Sequence, residues 1–507
     1  MEDIKSYFYF FPESEFQTID EMTADDLDVD ALFEKLNRTC SPIGAQYLYR
    51  QLRCISHHSI VRKYLWFITS CSESQKESGE IAKSLEKLQN KDAYSIIDFI
   101  QTDKEELSQK WLSLLSFIRF LPTVLLGIFL IHQTKVLLIV LLASFIALLM
   151  IHFKYKLKLF YYSTSITWLY KMLKVSKELE KSDLVKKLSP NLSNMNQSLK
   201  RLYRHTSNFR FNQRMESEIM AFIHFIIEFY RIFTLLEPIG FYKTLHELKK
   251  ERETLLSVFE TLGKVDFLRS MAILHDEELN SCTPDFETNE EGSLLEVSEV
   301  RHPLIDNCVS NSLKFSDMNF LILGSNMSGK TTFMRTIGVN VLLAQTLNLC
   351  FARRFTLSPM KIYTSIAIAD NLQEGKSYYL SEVLRMKEIL EQTSQSNNLI
   401  LLDELFKGTN TPERLAGAKS VLSYLTQNKR NRIIVATHDF ELIHLLAEKY
   451  KQVYFEETIE NRQLLFDYKL KKEMTSAHNA INILELYDFP SEVINEARQT
   501  LTRDILG

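Results

Sequence analysis

The chain has 507 residues, 45% of them hydrophobic and 24% charged, and a formal net charge of −4. That length supports about two to four structural units with cores of their own. The near-balanced charge excludes a global polyanion-binding surface, so any contact with nucleic acid or anionic lipid has to come from a local patch. Only 13 glycines and 10 prolines predict a mostly helical chain. The six cysteines, Cys40, Cys54, Cys71, Cys282, Cys308 and Cys350, show neither a CxxC pair nor metal spacing and read as reduced cytosolic thiols with no zinc site. The opening MEDIKSYFYF carries acids at positions 2 and 3 and no basic leader, so no secretion signal is expected.

In chain order, residues 1–112 are expected to begin a helical core. The strongest compositional event follows at 113–153, where two apolar runs flank His132-Gln133-Thr134-Lys135. Val136 to Phe153 is uncharged throughout, and Phe120 to Ile131 is apolar apart from Pro122, with Arg119 at its edge. One helix through both runs would be roughly 50 Å long with Lys135 near its middle, too long and too charged for a single span. A transmembrane helical hairpin fits better. Lys104, Lys110 and Arg119 on one side and Lys154, Lys156 and Lys158 on the other place both ends in the cytoplasm. A buried hairpin in a soluble core is the alternative.

Residues 154–290 read as an all-α core or lever, with Leu245, Leu248, Leu255, Leu256, Phe259 and Leu262 at helical spacing in one charged helix. Met220 to Tyr242 reads as a buried core helix, interrupted by Glu228, Arg231 and Glu237. Between Leu184 and Met215 there is no acid, and Lys200, Arg201, Arg204, Arg210 and Arg214 interleave with Tyr203, Phe209 and Phe211. Such a patch can bind phosphate backbones or an anionic lipid surface, or it is a solvated helix face.

From 291 to 507 short aliphatic runs alternate with helical segments, which predicts an α/β domain on a mostly parallel sheet. Gly324-Ser325-Asn326-Met327-Ser328-Gly329-Lys330-Thr331 satisfies GxxxxGK[ST] between the expected strand Phe320 to Leu323 and a helix that starts with Thr332. The loop's amides would face phosphates, Lys330 would meet the outer phosphates and Thr331 would enter a magnesium shell. The strand Leu399 to Leu402 ends in Asp403-Glu404, one acid for the metal and one to polarise a water. A third strand, Ile433 to Ala436, ends in Thr437-His438, whose imidazole suits a γ-phosphate contact. The combination predicts an ATPase using ATP and Mg2+.

GSNMSGKTTFMR (Gly324 to Arg335), LLDELFKGTN (Leu401 to Asn410) and ATHDFEL (Ala436 to Leu442) resemble the ATPase motifs of the MutS mismatch-repair family. Asp370 to Ser377, continuing to Glu382, resembles that family's signature segment, which implies that Ser377 is offered to a partner subunit's γ-phosphate and hence a homodimer. Arg301-His302-Pro303-Leu304 resembles the family's entry into this domain. A tail helix ending in Pro490, followed by Glu492-Val493-Ile494 and Ala497-Arg498, resembles its C-terminal dimerisation segment. Asp28 to Thr39, Pro42-Ile43-Gly44 and Leu48 to Leu52 resemble the start of its core. Phe11-Pro12-Glu13 matches the family's base-wedging triplet in form only, because the mismatch-reading and connector domains have no counterpart here. The adenine-stacking aromatic has no clear counterpart near Cys308 to Asn311.

The resemblance implies an ATPase that couples dimer closure to DNA binding, in mismatch repair or recombination control. The alternative is a membrane-tethered ATPase switch acting on an unknown protein partner or the bilayer, with the ATPase domain on the cytoplasmic side of the inner membrane. A solute pump fits poorly, since one hairpin offers too few spans and no polar pathway.

Overall fold

The structure is a computed structural model. It describes the chain except residues 58, 104–108, 208–231, 233, 279, 288–292, 316–317, 326, 367–377, 394–395, 461–462, 474–483 and 501–507. It divides into two compact units, and they do not follow sequence order. One is residues 1–11, 37–50 and 64–273; the other is 12–36, 51–63 and 274–507.

The first unit is helical. Helix Pro42–Arg53 begins where Asp266, buried on helix Arg252–Glu277, accepts hydrogen bonds from the Cys40 and Ser41 amides at 2.9 and 2.8 Å and from Ser41 Oγ at 2.6 Å. The carboxylate thus serves as a helix cap supplied from another helix. Tyr47 packs on Phe267 at 5.7 Å, and Gly263 lets the two helices approach. The periodic leucines fall on two helices, Leu236–Lys250 and Arg252–Glu277, and not on one as the spacing suggested. Their apolar faces are buried on both sides of the break at Glu251, so the periodicity survives the interruption.

The apolar hairpin of this unit has candidate spans Lys110–His132 and Lys135–Tyr155, with only 11% and 17% of their most apolar windows buried. Gln133 turns in the left-handed conformation and Thr134 caps the second helix. That second helix does not stop at residue 153 but runs to Leu179. No proline or glycine interrupts it.

In the second unit, Asn319–Leu323 (β1), Lys330–Leu347 (α1), Lys361–Ser365 (β2), Tyr378–Gln392 (α2), Asn398–Asp403 (β3), Thr411–Leu425 (α3), Asn431–Thr437 (β4) and Tyr450–Tyr454 (β5) build an α/β fold. The sheet is parallel throughout, in the order β5-β1-β4-β3-β2. β1, β3 and most of β4 are buried, as expected of continuous aliphatic runs covered on both faces. The edge of β2 is closed by a side chain: Gln17 Nε2 donates to the Ile362 carbonyl at 2.7 Å, and the Ile362 amide donates back to Gln17 Oε1 at 2.8 Å. Residues 12–36 therefore belong to the α/β unit and not to the helical core in which their position in the chain put them. At the far end, Pro490 precedes helix Ser491–Thr500 and its carbonyl accepts the Val493 amide at 2.9 Å. It opens this helix because a proline's missing N–H costs nothing at a helix start.

Replacing Asp266 by Ala leaves the Cys40 and Ser41 amides without their acceptor. It is expected to lower unfolding stability by roughly 1–3 kcal/mol, measured by urea titration of the helical signal.

Candidate nucleotide site

The loop between β1 and α1 depends on two glycines. Gly324 has φ +150° and Gly329 φ +105°. A Cβ on Gly324 would stand 2.4 Å from the Phe455 carbonyl oxygen, so no larger residue fits there. Within the loop Ser328 Oγ donates to the Ser325 carbonyl at 2.8 Å, and Ser325 Oγ to Glu457 at 2.6 Å. Met327 takes φ +76° and its side chain is 83% exposed, while Thr332 is exposed on the first turn of α1. The first amides of α1 have no helical acceptors, which suits the loop to an anion.

Lys330 is 4% exposed, and its ammonium donates to the Gly324 and Ser325 carbonyls at 2.6 and 2.9 Å. Burial lowers its pKa below the usual lysine range, against the opposing pull of Glu404, Asp403 and Glu457. Thr331 Oγ1 donates to Asp403 Oδ2 at 2.6 Å. Burial raises the Asp403 carboxyl above its usual range, with the Thr331 hydrogen bond working in the other direction. Glu404 is 8% exposed and left-handed at φ +49°. Burial alone would raise its pKa, but Lys407 and His438 outweigh that and hold it below the usual range. His438 Nδ1 lies 3.1 Å from Glu404 Oε1, and Lys407 pairs with the other oxygen. Beyond His438, Arg414 makes two hydrogen bonds to Asp439, at 3.0 and 2.7 Å, which fix the turn.

The structure therefore brings together Gly324, Ser325, Ser328, Gly329, Lys330, Thr331, Asp403, Glu404 and His438 at one edge of the sheet. A hydroxyl and a carboxylate in contact suit a hard divalent cation, and a buried ammonium beside them suits a polyphosphate. Asn326 and Ser377 lie outside the described residues.

Beside the loop is a cavity of about 390 Å³ lined by Asp306, Asn307, Cys308, Phe333, Phe455 and Tyr468, among others. Tyr468 is an aromatic of this cavity that sequence reasoning did not single out. Its ring lies 3.1 Å from where a Cβ on Gly329 would be. Asn311 holds the Tyr468 loop by donating to the Tyr468 carbonyl at 2.9 Å and accepting from the Leu470 amide at 2.8 Å. No local pattern marks Tyr468, since it arrives from a loop after the hairpin Glu457–Phe466.

Lys200, Arg201 and Arg204 lie together on helix Lys200–Ser207, in the other unit, and all three are exposed. Tyr203 between them stacks on Tyr170 at 5.1 Å, and Lys177 lies 3.3 Å above its ring. Arg210 and Arg214 fall outside the described residues.

The family description MutS domain V matches residues 320–504. DNA mismatch repair protein MutS of Geobacillus sp. (strain WCH70) is 30% identical over 258 residues, which is 49% of this chain and 29% of that protein. The protein of the same name from Brevibacillus brevis is 31% identical over 268 residues, 50% of this chain and 30% of that one. That of Staphylococcus aureus is 29% identical over 278 residues, again 50% and 30%. The chain thus spans under a third of the length of these curated relatives.

Gly324→Ala is expected to destabilise the loop by roughly 2 kcal/mol or more, from backbone strain and the clash with Phe455. The measurement is the thermal midpoint of the purified chain.

Proposed function

We propose that this chain, whose residues 320–504 match MutS domain V, is a MutS-family ATPase that binds and hydrolyses ATP with Mg2+ as a homodimer. What carries this reading is the meeting of Lys330, Thr331, Asp403, Glu404 and His438 at the carboxyl edge of the parallel sheet. Lys330, now bonded to the loop's own carbonyls, has a buried positive charge to give to the outer phosphates. Thr331 and Asp403 would hold Mg2+, directly and through water. When bound, the cation supplies neutralisation of phosphate charge. Glu404, whose pKa the hydrogen bonds from Lys407 and His438 hold below the usual carboxylate range, orients and polarises the attacking water, and His438 stabilises charge at the γ-phosphate. Tyr468 offers its ring to the adenine from the adjoining cavity. Ser377 would complete the partner subunit's site, as the family resemblance implies.

The relatives' names support a role on DNA in mismatch repair; recombination control and the coupling of dimer closure to DNA binding are what the family resemblance implies. The exposed cations Lys200, Arg201 and Arg204 are the groups available for a sequence-independent backbone contact. A second reading is favoured by a different observation, the outward-facing apolar hairpin. On that reading the chain is anchored in the cytoplasmic membrane with its ATPase domain in the cytoplasm, and its output is a protein partner or the bilayer.

Glu404→Gln is expected to cut ATP turnover by roughly 10²- to 10⁴-fold while leaving nucleotide binding in place. Lys330→Ala should weaken the binding itself. Steady-state hydrolysis and equilibrium binding of a fluorescent ATP analogue separate the two. Normal turnover in the Glu404 variant would remove the assigned role of this carboxylate.

For the output, the expected result is duplex-DNA binding that weakens steeply with salt and responds to ATP. Affinity no better than the roughly 10⁻⁴ to 10⁻⁶ M of non-specific contact, indifferent to nucleotide, leaves the membrane-tethered switch. The anchor is checked separately by vesicle flotation: the full chain should float, and a chain lacking residues 113–153 should stay at the bottom of the gradient.

A further inference from the structure

Glu404 heads a loop, Glu404 to Gly408, whose backbone enters the left-handed region twice, at Glu404 (φ +49°) and Phe406 (φ +62°). Neither residue is glycine, so the conformation is unfavourable in itself and its surroundings must hold it. The surroundings come largely from α2. The carboxylate of Glu382, 2% exposed, accepts the Phe406 amide hydrogen. One turn earlier, the Tyr379 ring meets the Phe406 ring at 6.3 Å, edge to face. Gly408 lies so close to Tyr379 that a Cβ on it would stand 2.7 Å from the Tyr379 Cβ. On the far side, Gly417 of α3 lets the Phe406 ring lie flat, with 3.3 Å from a Cβ position to the ring.

The same helix is anchored at its next turn. Arg385 donates from Nε to the Thr364 carbonyl at 2.9 Å and from Nη2 to Thr23 Oγ1 at 2.8 Å. Thus α2 holds the Glu404 loop with Tyr379 and Glu382 and is itself tied to the end of β2. It starts at Tyr378, directly after the Asp370 to Ser377 segment.

We propose that Glu382 is the positioning residue for Glu404, fixing the Phe406 amide so that the placement of α2 decides where the Glu404 carboxylate stands. This inference rests on the ATPase reading and adds to it the side chain that holds the hydrolytic carboxylate in place.

The test uses the full chain with Glu382→Leu, which removes the acceptor, Glu382→Gln, which keeps an acceptor oxygen, and Glu382→Asp, which withdraws it by one methylene. Each is assayed for kcat and KM, for equilibrium binding of a fluorescent ATP analogue and for amide exchange in residues 403–408. The Leu variant is expected to lose roughly 10- to 100-fold in kcat, with KM and analogue affinity within about threefold of the parent and faster exchange confined to the loop. The Gln variant should recover most of both. The Asp variant, which keeps charge and fold, should fall between them and carries the test if the Leu variant does not fold. Parental kcat in both the Leu and Asp variants overturns the inference, and so does a loss of kcat that Gln does not recover. An inactive parent chain would overturn the ATPase reading and this inference with it, whereas an active parent with indifferent variants overturns this inference alone.

Discussion

In the α/β unit, the parallel register of β1, β4 and β3 is the constraint on which the site depends. Thr437 pairs with Leu323 and Ala436 with Asp403, so the ends of three strands lie at one level. Parallel strands must all leave the sheet at the same edge, and their following loops gather there. The phosphate-type loop after β1, the acids at the end of β3 and the histidine after β4 meet for that reason. A one-residue slip in β3 would turn Asp403 to the opposite face and separate it from Thr331.

That register concentrates charge where water is scarce. Lys330 and Glu404 are buried and Asp403 is half-buried, and burial pushes Lys330 and Asp403 toward their neutral forms. Glu404 goes the other way only because Lys407 and His438 flank it. Two adjacent carboxyls are thus shifted in opposite directions, a difference set by surroundings and not by residue type. Leaving such groups buried is unfavourable without partners of opposite charge.

The helical unit meets a different constraint. Its core is closed by specific contacts such as the Asp266 cap and the Tyr47–Phe267 pair, whereas the hairpin directs Phe117, Ile131 and Val136, each at least 70% exposed, away from it. A continuous apolar surface of two helices is unfavourable in water and favourable in a bilayer. The second hairpin helix continues as one piece to Leu179, so the apolar surface and the helical core share a single rod.

The sequence by itself determined the motif residues, the strand–loop–helix order around Gly324 to Thr331, the aliphatic strands before Asp403 and His438, and the two apolar helices. Each is written in local spacing or in a run of one residue type, which chemistry reads directly. Only the tertiary structure decided that residues 12–36 join the α/β unit, that Gln17 closes the β2 edge, that Tyr468 lines the cavity, and that Glu382 grips the Glu404 loop. These are contacts between residues far apart in the chain, made by ordinary side chains whose types are common everywhere. Their meaning lies in which backbone group they reach, and the packing of helices on the sheet, not spacing along the chain, selects that group.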